Sequence, residues 1–213
     1  MYAWMLRLKQ PDGSFLVHEQ GEIDVRATYC VVVIATLLGL ATDELLDGAA
    51  SFVASCQTYE GGFAALSTPS YRVDARGVHP AGPVALQTPQ GEAHGGYAYC
   101  ALASYVHLAQ IGAPGVPPVH VPRLVRWATS LQGAPIEGGG FRGRTNKLVD
   151  GCYGWFCGGG LLTLAEELAC YAATLAWGAP PARDARVAAT HPVLNVRLSR
   201  VAPILAHMYA RSS

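Results

Sequence analysis

The sequence predicts an all-α fold built from stacked helical hairpins. Three segments share one pattern: an amphipathic stretch bearing an aromatic residue, a Gln, and a Gly-rich turn closing on Phe. After the first two, the chain continues into a stretch that is apolar nearly all round, as a buried helix is. The period-two alternation of apolar and polar residues that strands require is almost absent.

The first hairpin opens with Met1-Tyr-Ala-Trp4, reaches Gln10 and turns through Pro11-Asp-Gly-Ser-Phe15. The second runs from Phe52 to Gln57 and closes on Glu60-Gly-Gly-Phe63; the third runs from Trp127 to Gln132 and closes on Glu137-Gly-Gly-Gly-Phe141. The helices ending at each Gln carry a polar face and suit an outer layer. Gly21-Glu-Ile-Asp-Val-Arg-Ala-Thr-Tyr-Cys30 and Gly91-Glu-Ala-His-Gly-Gly-Tyr-Ala-Tyr-Cys100 then match position by position and lead into inner helices. Leu148-Val-Asp-Gly-Cys-Tyr-Gly-Trp-Phe-Cys157 keeps the final Cys and the aromatic before it. Alternating outer and inner helices stack into a solenoid that can close into a ring. Three hairpins make only a partial ring, so residues 1–213 read as one partial domain with a tail.

Two regions depart from the repeat. Residues 66–90, rich in proline and small residues, read as a flexible insertion between the second turn and its inner helix. Beyond residue 160 the expectation is one long helix over 161–177, an Ala/Pro/Arg-rich linker over 178–190 and a short helix over 196–211. Trp4, Trp127 and Trp177 are expected in the core of the outer layer, and Cys30, Cys56, Cys100 and Cys170 as buried packing residues. His18, His79, His107, His120 and His207 carry no motif and read as surface or hairpin residues.

Composition narrows the function. Fifteen basic and fifteen acidic residues cancel, which argues against a nucleic acid partner or an anionic membrane surface. Apolar residues make up 51% and charged residues 14%, well under the usual quarter or so. Such a chain buries a sizeable core, with a partner or a cavity covering further apolar surface. The longest apolar run, residues 29–41, is too short for a bilayer, which needs about 20 residues. The N-terminus lacks the order of a signal peptide. Six cysteines without a C-x-x-C pair read as reduced thiols of a cytoplasmic protein.

In a ring of hairpins, the turns entering the inner helices line one mouth of the central cavity. There the sequence concentrates its polar residues: Asp24 and Arg26; Glu92, His94, Tyr97 and Tyr99; then Arg142, Arg144, Lys147, Asp150, Cys152 and Tyr153. Only two lysines occur, Lys9 and Lys147, so a Lys beside two Args is informative in a charge-poor chain. Arg26, His94, Arg144 and Lys147 would converge as a cationic cluster suited to a diphosphate. The same residues equally fit separate rim salt bridges with Asp24, Glu92 and Asp150. Asp150-x-Cys152 offers a carboxylate and a thiolate to zinc, although most such pairs hold no metal.

Glu92-Ala-His-Gly-Gly-Tyr-Ala-Tyr-Cys100 and Gly139-Gly-Phe-Arg-Gly-Arg-Thr-Asn-Lys-Leu-Val-Asp-Gly-Cys-Tyr153 closely resemble signature stretches of protein prenyltransferase β subunits, in the farnesyl-transferring branch. Lys9-Gln-Pro-Asp-Gly-Ser-Phe15, Gly21-Glu-Ile-Asp-Val-Arg26 and Thr190-His-Pro-Val-Leu-Asn195 resemble it too. The resemblance implies an α/α toroid, a six-hairpin barrel of which this chain carries part. It implies transfer of a farnesyl group from farnesyl diphosphate to a cysteine thiolate in a C-terminal CaaX motif. It also implies zinc, magnesium with the diphosphate, and a helical α subunit as heterodimer partner.

On matching positions, Asp150 and Cys152 would bind zinc, and His94, Arg144, Lys147 and Tyr153 the diphosphate. Asp150, Cys152 and Tyr153 would form the catalytic set, and Arg26, Tyr29, Gly96, Tyr97 and Cys100 the wall receiving the isoprenoid. The family's third zinc ligand is a His in a Tyr-His-Thr-Cys-Tyr motif. Here Leu168-Ala-Cys-Tyr171 is the nearest echo, with Leu in that place and His191 a weaker substitute. The first hairpin corresponds to mid-domain in the family. Two alternatives stay open: a non-catalytic form that binds the α subunit or prenyl diphosphate, and a geranylgeranyltransferase β subunit.

Overall fold

The structure, a computed structural model, describes residues 1–69, 71–74, 77–80, 87–113 and 115–171, together with residues 193, 202, 203 and 206. The three expected hairpins are present. Outer helix α1 (Tyr2–Leu8) is followed by inner helix α2 (Val25–Leu37). A short helix α3 (Asp43–Leu46) leads into outer helix α4 (Ala49–Ser55), whose inner partner is α5 (Gly95–Gln110). Outer helix α6 (Val121–Ser130) precedes a π-helical segment (Gly154–Gly159) that runs into inner helix α7 (Gly160–Tyr171). The expected helix over residues 161–177 is thus described as far as Tyr171. The linker over 178–190, Trp177 and most of the expected last helix lie outside the described residues.

Inner helix α5 stands between α2 and α7, with α4 packed behind it and α6 behind α7. This order follows from composition. Ala98, Ala101, Leu102, Ala103, Val106 and Leu108 of α5 are all buried, so the helix finds apolar neighbours on several sides. A second core, formed by Met5, Leu8, Phe15, Val31, Val32, Leu45 and Leu46, joins α1 to α2 and α3.

Each outer-to-inner turn is built alike. Bridges pair Lys9 with Phe15, Gln57 with Phe63, and Gln132 with Phe141, which is why a Phe closes each Gly-containing turn in the sequence. Phe15 and Phe63 are fully buried beneath their turns. A further bridge joins Leu16 to Ile23 in the first turn and Arg142 to Val149 in the third. At the same place in both loops, Gln20 and Asn146 adopt positive φ, 67° and 60°. The Gln57 side chain also accepts from the His120 amide at 2.7 Å and donates to the Gly61 carbonyl at 2.9 Å. It thereby ties the start of α6 to the second turn.

The structure departs from the sequence reading at the insertion, where regular strands stand. Strand β1 (Leu66–Pro69) pairs antiparallel with β4 (Gln87–Gln90), and β2 (Tyr71–Asp74) with β3 (Gly77–Pro80). The stem is fastened to α4. Gln87 Oε1 accepts from Ser55 Oγ at 2.9 Å and from Ser67 Oγ at 2.8 Å.

Two packing expectations also fail. Trp4 is 39% exposed on the outside of α1 rather than buried, whereas Trp127 is 5% exposed as expected. Cys30 is exposed because it shares the open stripe of α2 with Arg26 and Ile34, while Cys56 and Cys100 are buried. Cys30, Cys56, Cys100, Cys152 and Cys157 are free thiols. Among the described residues, no helix is long and apolar enough to cross a membrane.

Candidate anion and thiol site at the hairpin mouth

Three residues occupy one structural position, at the start of the three inner segments, and each accepts a hydrogen bond from the backbone amide two residues on. Asp24 Oδ1 accepts from Arg26 at 2.7 Å, His94 Nδ1 from Gly96 at 3.1 Å, and Asp150 Oδ1 from Cys152 at 3.0 Å. At Asp24 and His94 these are cap interactions, which satisfy amides that have no partner inside the helix, and at Asp150 the same bond holds the turn ahead of the π-helical segment. They fix the backbone, and so they aim the functional side chains.

The cap bond decides the chemistry of His94. Because Nδ1 accepts an amide proton, the neutral ring carries its hydrogen on Nε2. That Nε2 lies 3.1 Å from the Tyr153 hydroxyl oxygen and donates to it. Tyr153 therefore keeps its own O–H to offer elsewhere. Burial lowers the His94 pKa below its ordinary value, and the charges of Arg144 and Arg26 push the same way against Glu92. The neutral tautomer is the resting form.

Arginines flank this pair on both sides. Arg26 is held by Asp24 through Nε contacts of 2.9 Å to both carboxylate oxygens, and its guanidinium lies over the Tyr97 ring, 5.2 Å from the centroid. That carboxylate is the main reason the Arg26 pKa is raised. The Tyr97 ring in turn sits 4.9 Å from His94. Across the mouth, Arg144 Nη1 donates to Glu92 Oε1. The two readings left open by the sequence thus coexist, since Arg26, His94 and Arg144 converge while each arginine is paired to a carboxylate. Lys147 is exposed on the loop that carries Arg144 and makes no ion pair among the described residues.

Below the cations lies an aromatic wall. Tyr99 contacts Tyr29 at 5.8 Å between centroids, Trp155 at 5.9 Å and Phe156 at 5.6 Å, and Phe156 reaches Tyr153 at 6.4 Å. Tyr29 donates to the Val193 carbonyl at 2.7 Å, and its burial raises the pKa of the hydroxyl. Gly96 and Tyr97 are half-buried beside it; Cys100 is buried, which pushes its thiol up to about 12. Of these residues, Trp155 and Phe156 escaped the sequence reading as site residues, although the Tyr-Gly-Trp-Phe run after Cys152 was the signal. Gly95 and Gly143 were missed as well: their close packing against Cys157 and Tyr153 has no signature in a single chain.

Asp150 and Cys152 lie side by side and exposed. The Cys152 amide, then its thiol, hold the Asp150 carboxyl below its ordinary range. The Cys152 thiol is raised, by lost hydration first and by Asp150 second, so without a cation it stays protonated. One oxygen and one sulfur donor suit zinc in kind, but zinc sites use three or four protein ligands. Among the described residues no group of three His, Cys, Asp or Glu could hold a metal ion. Two donors therefore fall short of a complete site, and His191 lies outside the described residues.

The fold is a stack of three hairpins whose inner-segment starts bring arginines, His94 and aromatic rings together. Over residues 1–194 the chain matches the prenyltransferase alpha-alpha toroid domain, and it belongs to that family. It is 39% identical over 164 residues to a protein farnesyltransferase subunit beta of Pisum sativum, a match covering 77% of this chain and 32% of that protein. It is 36% identical over 167 residues to the corresponding Schizosaccharomyces pombe subunit, covering 78% and 36%. The geranylgeranyl transferase type-1 subunit beta of Arabidopsis thaliana is 31% identical over 161 residues, covering 72% and 36%. The chain thus spans about a third of the length of these relatives. Its fold matches a Candida albicans protein geranylgeranyltransferase-I complexed with GGPP, with a TM-score of 0.57 and 17% identity. That match covers 98% of this chain and 67% of that one.

Proposed function

We propose that this chain supplies the diphosphate-binding mouth of a protein farnesyltransferase β subunit. The subunit pairs with a prenyltransferase α subunit in the cytoplasm. The observation that carries the reading is the His94–Tyr153 hydrogen bond set between Arg26 and Arg144, with the aromatic wall beneath. A diphosphate seated there would meet the Arg144 guanidinium, the Tyr153 hydroxyl and, from the same loop, Lys147. The isoprenoid tail would lie along Tyr29, Gly96, Tyr97 and Cys100. Higher identity to the farnesyl relatives than to the geranylgeranyl relative supports the 15-carbon substrate.

The reaction joins the sulfur of a CaaX cysteine to C1 of farnesyl diphosphate as the C1–oxygen bond breaks and diphosphate departs. Negative charge grows on the leaving oxygens, and preorganised donors aimed at such charge lower the barrier. Arg144, Lys147 and Tyr153 fill that role, while His94 orients Tyr153. Asp150 and Cys152, with a third ligand, would hold zinc, which lowers the pKa of a bound thiol; magnesium would accompany the diphosphate. The two-donor metal set favours a second reading, in which the chain binds prenyl diphosphate without transferring it.

The test is farnesyl diphosphate binding by the chain together with an α subunit. Arg144→Ala with Lys147→Ala should weaken it by a few kcal/mol, since charge-assisted bonds contribute roughly 1.5–3 kcal/mol each. Unchanged affinity would reduce these residues to rim salt bridges. Transfer to a CaaX peptide separates the enzyme from the binding module.

A further inference from the structure

Both arginines of the mouth are paired to carboxylates, but the two carboxylates differ in what else they do. The Asp24 side chain is 4% exposed, caps α2 through the Arg26 amide and grips Arg26 with both oxygens. Its place in the fold commits it to that pair. Glu92 has no such commitment. Its side chain is 50% exposed, and among the described residues Arg144 is its hydrogen-bond partner.

The backbone around Glu92 is held while its side chain is left to move. On one side the Ala93 amide donates to Glu60 Oε2 at 3.2 Å and the His94 amide to the Phe63 carbonyl at 3.1 Å. On the other, Gly91 at φ +89° turns the chain out of β4, with open space around it. Glu92 can therefore reach Arg144 or release it by a change of rotamer, with the cap at His94 undisturbed. A carboxylate beside an anion site opposes anion binding, so its presence needs a reason. Holding the Arg144 fork in place while the mouth is empty supplies one.

We propose that Glu92 is a positioning residue that holds Arg144 at the mouth in the empty state and yields it to the incoming diphosphate. Each binding event then exchanges one carboxylate for phosphate oxygens on the same guanidinium, a planar fork that suits either partner. Departure of the diphosphate returns Arg144 to Glu92, so the carboxylate also speeds release of a diphosphate product. Because the pair is exposed, it is weak enough to exchange. This inference rests on the reading of the mouth as a diphosphate site.

The test is calorimetric titration of the full chain with inorganic pyrophosphate, comparing wild type, Glu92→Gln, Arg144→Ala and the double variant. Glu92→Gln should tighten binding about two- to fivefold, the range of an exposed ion pair, and the gain should vanish in the Arg144→Ala background. Arg144→Ala alone should weaken binding. If it does, but Glu92→Gln leaves affinity unchanged or lowers it, the exchange is wrong while the diphosphate reading stands. A gain that persists without Arg144 would reflect simple loss of negative charge and would overturn the proposal as well. Wild type that ignores pyrophosphate, or binding indifferent to Arg144, would sink the diphosphate reading itself.

Discussion

The Gly95 amide donates to the Gly143 carbonyl across 2.7 Å, stitching the first turn of α5 to the loop that carries Arg144. This bond brings two hairpins close enough for His94 to reach Tyr153. It also requires both residues to lack a side chain. A Cβ on Gly143 would stand 2.2 Å from the Tyr153 ring, and one on Gly95 would stand 2.3 Å from the Cys157 sulfur.

Gly143→Ala should therefore displace the Tyr153 ring. The expected cost is about 1–3 kcal/mol, typical of overpacking in a well-filled site. Urea denaturation measures that cost, and pyrophosphate titration should show weakened binding alongside it. An unchanged midpoint and affinity would show that Tyr153 can move aside freely.

Tyr153→Phe keeps the ring and removes the hydroxyl. Since His94 donates to this oxygen, the Tyr proton is the group available to a bound anion. The variant should fold normally and lose about two- to tenfold in pyrophosphate affinity, corresponding to one net hydrogen bond of roughly 0.5–1.5 kcal/mol. Wild-type affinity in this variant would mean that the hydroxyl never meets the ligand.

His94 makes stability depend on pH in a definite direction. Its folded pKa lies below the ordinary 6.5 through burial first and the neighbouring arginines second. The unfolded chain therefore binds this proton more readily than the folded one, and stability rises with pH across that window. The contribution is intact above the unfolded pKa and is lost as pH falls through the folded value. Denaturation curves at pH 7.5 and 5.5 should show a larger acid loss for wild type than for His94→Gln. Equal losses would place His94 in an environment like water.

Zinc provides a separate check on Asp150 and Cys152. In the presence of an α subunit, a complete catalytic site should take up one zinc at submicromolar concentration, lost in Cys152→Ser and on chelation. No stoichiometric uptake would favour diphosphate binding without transfer.

Much of this architecture was legible because the turns are written in the sequence. Gln57 and Phe63 bridge across a Gly-rich loop, and Gln132 and Phe141 do the same across a longer one, so the repeat announces the hairpins. The cationic mouth was legible for the same reason: equivalent turns bring Arg26, His94 and Arg144 together. The ribbon was not. Its strands are four residues long, include prolines and lack a clear apolar alternation, so the pattern that marks a half-buried strand never develops. The π-helical turn at Gly154–Gly159 was hidden too, since glycine permits close packing without naming the ring that fills it. Gly158 backs onto Phe141, and Gly160 onto Trp155 and Tyr99. Trp4 and Cys30 were misplaced because apolar character alone does not say which side of a partial ring faces outward.

The shared position of Asp24, His94 and Asp150 makes the rim modular. Each hairpin presents an accepting side chain and, two places on, a residue whose backbone amide is already fixed: Arg26, Gly96 or Cys152. Exchanging that second residue alters the reactive inventory without rewriting the helix behind it. Arg26→Cys would thus copy the Asp-x-Cys pair into the first hairpin, giving one scaffold two soft-metal half-sites at separate stations of the same rim.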